Sequence, residues 1–80
     1  MTGTPYAIRL SPRLQKQLRA LPQAERKLAI KLAEALAINP RPPDVIRIEG
    51  MTGLYRASLS ELQMVYKIED AELILLFIRD

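Results

Sequence analysis

Leu54-Tyr55-Arg56-Ala57-Ser58-Leu59-Ser60-Glu61-Leu62-Gln63-Met64-Val65-Tyr66-Lys67-Ile68 is the stretch whose alternation decides the fold. Successive side chains of an extended strand point to opposite faces. Over residues 54–59 this sets Tyr55, Ala57 and Leu59 against Leu54, Arg56 and Ser58; over residues 62–68 it sets Leu62, Met64, Tyr66 and Ile68 against Gln63, Val65 and Lys67. One face of each segment is core and the other is wet. The short link Ser60-Glu61 makes the two segments a hairpin, although it lacks the Gly or Asn favoured in tight turns. Pairing across it places Ser58 opposite Gln63 and Arg56 opposite Val65, with Lys67 near the open end. The result is a small polar cluster with two cations.

Outward from this hairpin the same reading continues. Glu69-Asp70-Ala71-Glu72 turns the chain into residues 73–78, which are apolar on both faces, as a central strand covered on two sides or flanked by parallel partners would be. Upstream, Gly50-Met51-Thr52-Gly53 supplies a turn after residues 44–49, where Ile46 and Ile48 oppose Val45 and Arg47. Asn39-Pro40-Arg41-Pro42-Pro43 is a stiff connector with few backbone donors. Before it the period is helical. A helix starting at 22 or 23 carries the stripe Leu28, Leu32, Ala35 and Leu36, and an earlier helix, opened by the cap Ser11-Pro12, carries Leu14, Leu18 and Leu21. Residues 5–10 read as a first strand with Tyr6, Ile8 and Leu10 on its core side and Ala7 and Arg9 on the other. The expected fold is α+β: an N-terminal strand, a helical hairpin across one sheet face, then a mostly antiparallel four- to five-stranded sheet. Only the first strand is followed by a crossover long enough to return parallel, so the first and last strands are expected as a central parallel pair.

Composition narrows the chemistry. Eighty residues make one domain, and 49% hydrophobic with 26% charged residues is the balance of a folded soluble chain. There is no histidine and no cysteine, which removes imidazole catalysis, thiolate nucleophiles, disulfides and the usual zinc sites; no cofactor or metal is implied. The longest aliphatic and aromatic run, residues 73–78, is far short of the roughly 18 residues of a membrane span, and the opening MTGTPYAIRL has no signal-peptide core. A cytoplasmic protein with no membrane partner is expected. The net charge of +3 divides unevenly: residues 1–47 hold nine Lys and Arg against Glu25, Glu34 and Asp44, whereas residues 48–80 hold three cations against six acids. The helix cations Arg13, Lys16, Arg19, Arg26, Lys27 and Lys31 form either a polyanion-binding surface or simply a solvated one. Tyr6, Tyr55, Tyr66 and Phe77 all fall on positions read as core, which argues against base stacking on the sheet.

The chain resembles the RelE/ParE superfamily, the small toxins of type II toxin–antitoxin systems, and within it the RelE branch. The resemblance spans nearly all 80 residues. It includes Tyr6-Ala7-Ile8, the helix Leu14-Gln15-Lys16-Gln17-Leu18-Arg19-Ala20-Leu21 and the second helix ending Leu36-Ala37-Ile38-Asn39-Pro40. It is sharpest at Glu49-Gly50-Met51-Thr52-Gly53-Leu54-Tyr55-Arg56 and Met64-Val65-Tyr66-Lys67-Ile68. The resemblance implies a single RelE-like toxin domain over residues 1–80 that enters the ribosomal A site and cleaves mRNA. It also implies a cognate antitoxin that wraps and silences the toxin, and that alone brings it to operator DNA. Attack by an RNA 2′-hydroxyl needs a proton acceptor, a cation for the phosphate and an acid for the leaving oxygen. The family meets these needs with basic residues spread over the sheet and a tyrosine after the last strand.

Position by position, the resemblance makes Arg56 the expected phosphate contact and Arg79 a second catalytic cation. Arg47, Ser58, Gln63 and Lys67 are the expected RNA-binding positions, with Ser58 and Gln63 neutral where the branch commonly has cations. The sequence stops at Asp80, before the family's usual C-terminal segment with its further Arg and Tyr. Tyr55 and Tyr66 are expected to pack in the core. Weak or absent cleavage follows. The alternatives are a non-catalytic antitoxin-binding module with the toxin fold and a ParE-like gyrase inhibitor.

Overall fold

Both periodicities resolve into regular elements in the computed structural model, which describes residues 6–43, 45–48, 50 and 53–79. In chain order they are β1 (Ala7–Leu10), α1 (Pro12–Ala20), α2 (Gln23–Ile38), β2 (Ile46–Arg47), β3 (Leu54–Leu59), β4 (Leu62–Glu69) and β5 (Glu72–Arg79). The strands form one sheet in the order β1-β5-β4-β3-β2. Pairing is parallel between β1 and β5 and antiparallel elsewhere. The first and last strands are therefore parallel partners, as the crossover argument requires, but they are not central. β1 is an edge and β4 the middle strand, because the eight-residue, largely apolar β4 and β5 take the positions with two neighbours. The second predicted strand shrinks to two residues at the opposite edge. Pro5, Asp44, Glu49, Met51, Thr52 and Asp80 lie outside the described residues.

One sheet face is covered by α2. Leu14, Leu36, Met64, Tyr66, Leu73 and Leu75 are its fully buried large side chains. The α2 stripe is turned from the expected one: Ala29, Leu32, Ala33, Leu36 and Ala37 are buried, Leu28 is half-buried and Ala35 is exposed. Alanines four residues apart let the helix backbone approach the sheet closely, and the two leucines fill the spaces between strands. Ile8 and Leu10 face the helices as predicted, yet stay exposed because β1 is an edge strand.

The connector is held to the sheet by tyrosines. The Tyr66 hydroxyl donates to the Pro40 carbonyl at 2.6 Å, and the Tyr55 and Tyr66 rings stack at 5.7 Å. Both are packing residues, as expected. Gly53, at φ 80°, adopts a left-handed conformation that would strain an ordinary side chain, and its carbonyl accepts from the Ile68 amide at 3.2 Å. At the β3–β4 turn Ser60 itself takes φ 59°.

α1 differs from a simple hairpin partner of α2, because it lies along the flank of β5 beyond the end of β1. β1 pairs with β5 only as far as Leu75, so the outward backbone groups of residues 76–79 need other partners. α1 provides them. The Ser11 hydroxyl accepts from the Leu14 amide at 3.0 Å, capping the helix, and donates to the Leu76 carbonyl. The Gln17 carboxamide imitates a neighbouring strand: its oxygen accepts from Ile78 N–H at 2.7 Å and its nitrogen donates to the Ile78 carbonyl at 2.9 Å. Arg26 of α2 donates to the carbonyls of Leu18 and Leu21, both at 3.0 Å, closing the C-terminus of α1. Replacing Gln17 with Leu leaves two strand groups unpaired in a partly buried site. The expected cost is about 1–3 kcal/mol in urea unfolding, with faster hydrogen exchange at the Ile78 amide.

Candidate functional site

The face turned away from α2 carries the polar residues. Directly paired strand residues share a face, so the register defines three rows. Leu54, Lys67 and Ile74 form one, Arg56, Val65 and Phe77 the second, and Ser58, Gln63 and Arg79 the third. Ile46 extends the middle row beyond Arg56. Five of the six predicted site residues, Arg56, Ser58, Gln63, Lys67 and Arg79, thus meet on one surface. Arg47 does not. It pairs with Tyr55 and so shares the helix-side face.

Phe77 reaches the open face through a register shift. Tyr66 pairs with Leu75 and Val65 with Phe77, so Leu76 is an extra residue in β5. Leu73 and Leu75 face the core, and uninterrupted alternation would send Phe77 after them. The shift places Ile78 in the core and Phe77 outside, which is how a β-bulge re-aims a side chain. This corrects the expectation that all four aromatics are core residues. The Arg13 guanidinium of α1 sits over the Phe77 ring, 4.3 Å from its centroid, and joins the middle row. Sequence periodicity misses both residues, since neither a bulge nor the place where α1 meets the sheet leaves a pattern within one segment.

Charge is segregated along this face. At one end Lys67 bonds Glu69 at 2.8 Å and Arg9 bonds Glu72 at 3.2 Å, so each cation there has a carboxylate partner. The two carboxylates are direct cross-strand neighbours, an arrangement that those cations make tolerable. At the other end Arg13, Arg56 and Arg79 have no carboxylate partner among the described residues. Arg56 is half-buried and its Nε is buried without a hydrogen-bond partner there. Its stem is held down beside Val65, which is 2% exposed although no helix covers that face. Arg79 also lines a cleft of about 330 Å³ with Glu25 and Glu61. Guanidinium groups on a dry floor, next to a hydroxyl and a carboxamide, make a surface suited to a phosphate group.

The remaining candidates have structural roles or lie elsewhere. Arg26 closes α1, and Tyr66 is fully buried. The Tyr55 hydroxyl accepts from Arg41 Nε at 3.2 Å; that hydrogen bond, with the charges of Arg41 and Arg47 and against the effect of burial, holds the phenol below its usual range. Among the described residues no cluster of acids, His or Cys is arranged to hold a metal, and no helix is long and apolar enough to cross a membrane. The Lys67 hydrogen bond and charge hold the Glu69 carboxyl below the usual carboxylate range. A depressed carboxyl contributes stability above its unfolded pKa and loses it as pH falls through the folded value. Lys67→Gln is therefore expected to raise the Glu69 pKa in a carboxyl NMR titration and to flatten the acid limb of the stability profile.

No protein-family model and no curated protein matches the sequence. Solved structures do match. The RelE–RelB complex from the archaeon Pyrococcus horikoshii aligns with a TM-score of 0.81 at 25% identity, over 95% of this chain and 94% of that one. The RelBE2 toxin–antitoxin complex of Mycobacterium tuberculosis aligns with a TM-score of 0.83 at 19% identity, over 95% and 91%. The intact Escherichia coli RelBE complex aligns with a TM-score of 0.80 at 22% identity, over 91% and 93%. Together with two helices against a five-stranded mixed sheet, these likenesses identify the architecture of this chain as the RelE-like toxin fold.

Proposed function

We propose that this protein is the toxin of a type II toxin–antitoxin pair and acts in the cytoplasm as a slow, ribosome-dependent mRNA endoribonuclease. One observation carries the reading: the unneutralised end of the open face, where Arg56 and Arg79 stand beside Ser58 and Gln63 while the cations at the other end are spent on Glu69 and Glu72. Arg56, its stem packed and its Nε unpartnered, binds the scissile phosphate. Arg79, one row further, stabilises the charge that develops as the 2′-hydroxyl attacks. With no histidine in the chain, the rate rests on electrostatic stabilisation, and neutral Ser58 and Gln63 lower it. The antitoxin is held on the helix side, where Ile8, Leu10 and Ile30 leave an apolar groove of about 210 Å³ beside the edge strand.

A second reading, a non-catalytic antitoxin-binding module, is favoured by those same two neutral positions. Translating ribosomes given the purified protein separate the two. Mapped mRNA ends should show slow new cuts, reduced roughly 100- to 1,000-fold by Arg56→Gln and accelerated by Gln63→Arg. A protein that binds its antitoxin tightly yet produces no cuts, even as Gln63→Arg, supports the second reading and overturns the first.

A further inference from the structure

We propose that Arg13 and Phe77 form a nucleobase-stacking subsite: a base of single-stranded RNA lies on the outer plane of the Arg13 guanidinium, backed by the Phe77 ring, with an adjoining phosphate at Arg56. The inference rests on the RNA-directed reading above and goes beyond it by assigning a place to a base.

Three observations support the site. The register shift at Leu76 brings Phe77 onto the open face instead of the core. Arg13 covers that ring at 4.3 Å, is exposed and has no carboxylate partner among the described residues, so its cation is backed by the ring and accessible to a ligand. Its backbone is fixed as well: α1 is capped by Ser11 and bonded through Ser11 and Gln17 to Leu76 and Ile78, the two residues flanking Phe77.

The geometry of the row supplies the phosphate contact. Phe77, Val65 and Arg56 are direct neighbours on three adjacent strands, so Arg56 and Phe77 are two strand spacings apart, about 10 Å. That is comparable to the distance between a base and the phosphates flanking it. Val65 between them is almost completely shielded, which gives the site a dry floor. Bases stack on aromatic rings and on guanidinium planes alike, with little sequence preference, because every base has a π-face. Lysine keeps the charge of arginine and loses the plane.

The last contrast makes the test. Fluorescence anisotropy measures binding of a short oligoadenylate and of the same backbone carrying abasic residues, across a salt series. Wild type should prefer the base-bearing strand. Arg13→Lys and Phe77→Leu should each weaken that strand roughly 5- to 100-fold and leave the abasic strand unchanged. Arg13→Lys should also keep the salt slope, whereas Arg56→Gln should lower it by about 0.7 for both strands. Arg13 is exposed, so its lysine variant tests the site even if Phe77→Leu fails to fold. No loss with Arg13→Lys, an equal loss on both strands, or a wild type indifferent to the bases overturns the subsite. Ribosomal mRNA cleavage persisting in any of those cases leaves the proposed activity standing, whereas no binding of either strand together with no cleavage removes both.

Discussion

The outer flank of β5 is the constraint from which the rest follows. β5 needs partners on both sides, and β1 supplies only part of one side. The carboxamide of Gln17 and the hydroxyl of Ser11 complete it, and in doing so they fix α1 along the outer flank of β5. From the flank α1 still adds Leu14 to the core beneath α2, and the opposite sheet face stays open. The same attachment brings Arg13 over Phe77. Side-chain amides that stand in for a missing strand solve two problems together, since they satisfy buried backbone groups and protect an edge from pairing with another chain.

The open face is not uniformly basic. Glu69 and Glu72 at one end pair with the cations there, whereas Arg13, Arg56 and Arg79 at the other end form no ion pair among the described residues. Net charge is a poor guide to such a surface. The C-terminal half of the sequence is acidic overall, yet it carries two of the three cations at that end. A polyanion responds to the local arrangement, because charges further away than about 10 Å are largely screened at ordinary ionic strength.

Much of this was legible in the sequence. Strict alternation through residues 54–68 fixed both faces of the β3–β4 hairpin and its register, including Ser58 opposite Gln63 and Arg56 opposite Val65. Ser11-Pro12 marked the start of α1, and the connector prolines followed the end of α2. The failures have physical causes. The crossover length points to a central parallel pair of first and last strands, but a crossover sets strand direction and not the number of neighbours, and β1 lies at the edge. A stripe drawn through the leucines misplaces the buried face of α2, because the helix turns its alanines inward to sit close to the sheet. Alternation puts Phe77 in the core, but one inserted residue reverses everything after it, and β5, apolar on both faces, offers no pattern from which to see the reversal. Charge alone groups Arg47 with Arg56, although the register between their strands puts them on opposite faces.

The strand order has a bearing on how the molecule is made. The last of the five strands to be synthesised lies between the first and the fourth, so the earliest strand has no sheet partner until the latest one is complete. Nascent chains shorter than this hold only helices and an isolated β-meander, and domains generally fold as units once their closing element has emerged. Before β5 emerges, the row that joins Arg56 to Phe77 does not exist, so the open face and the pairing of the first strand are completed in the same late step.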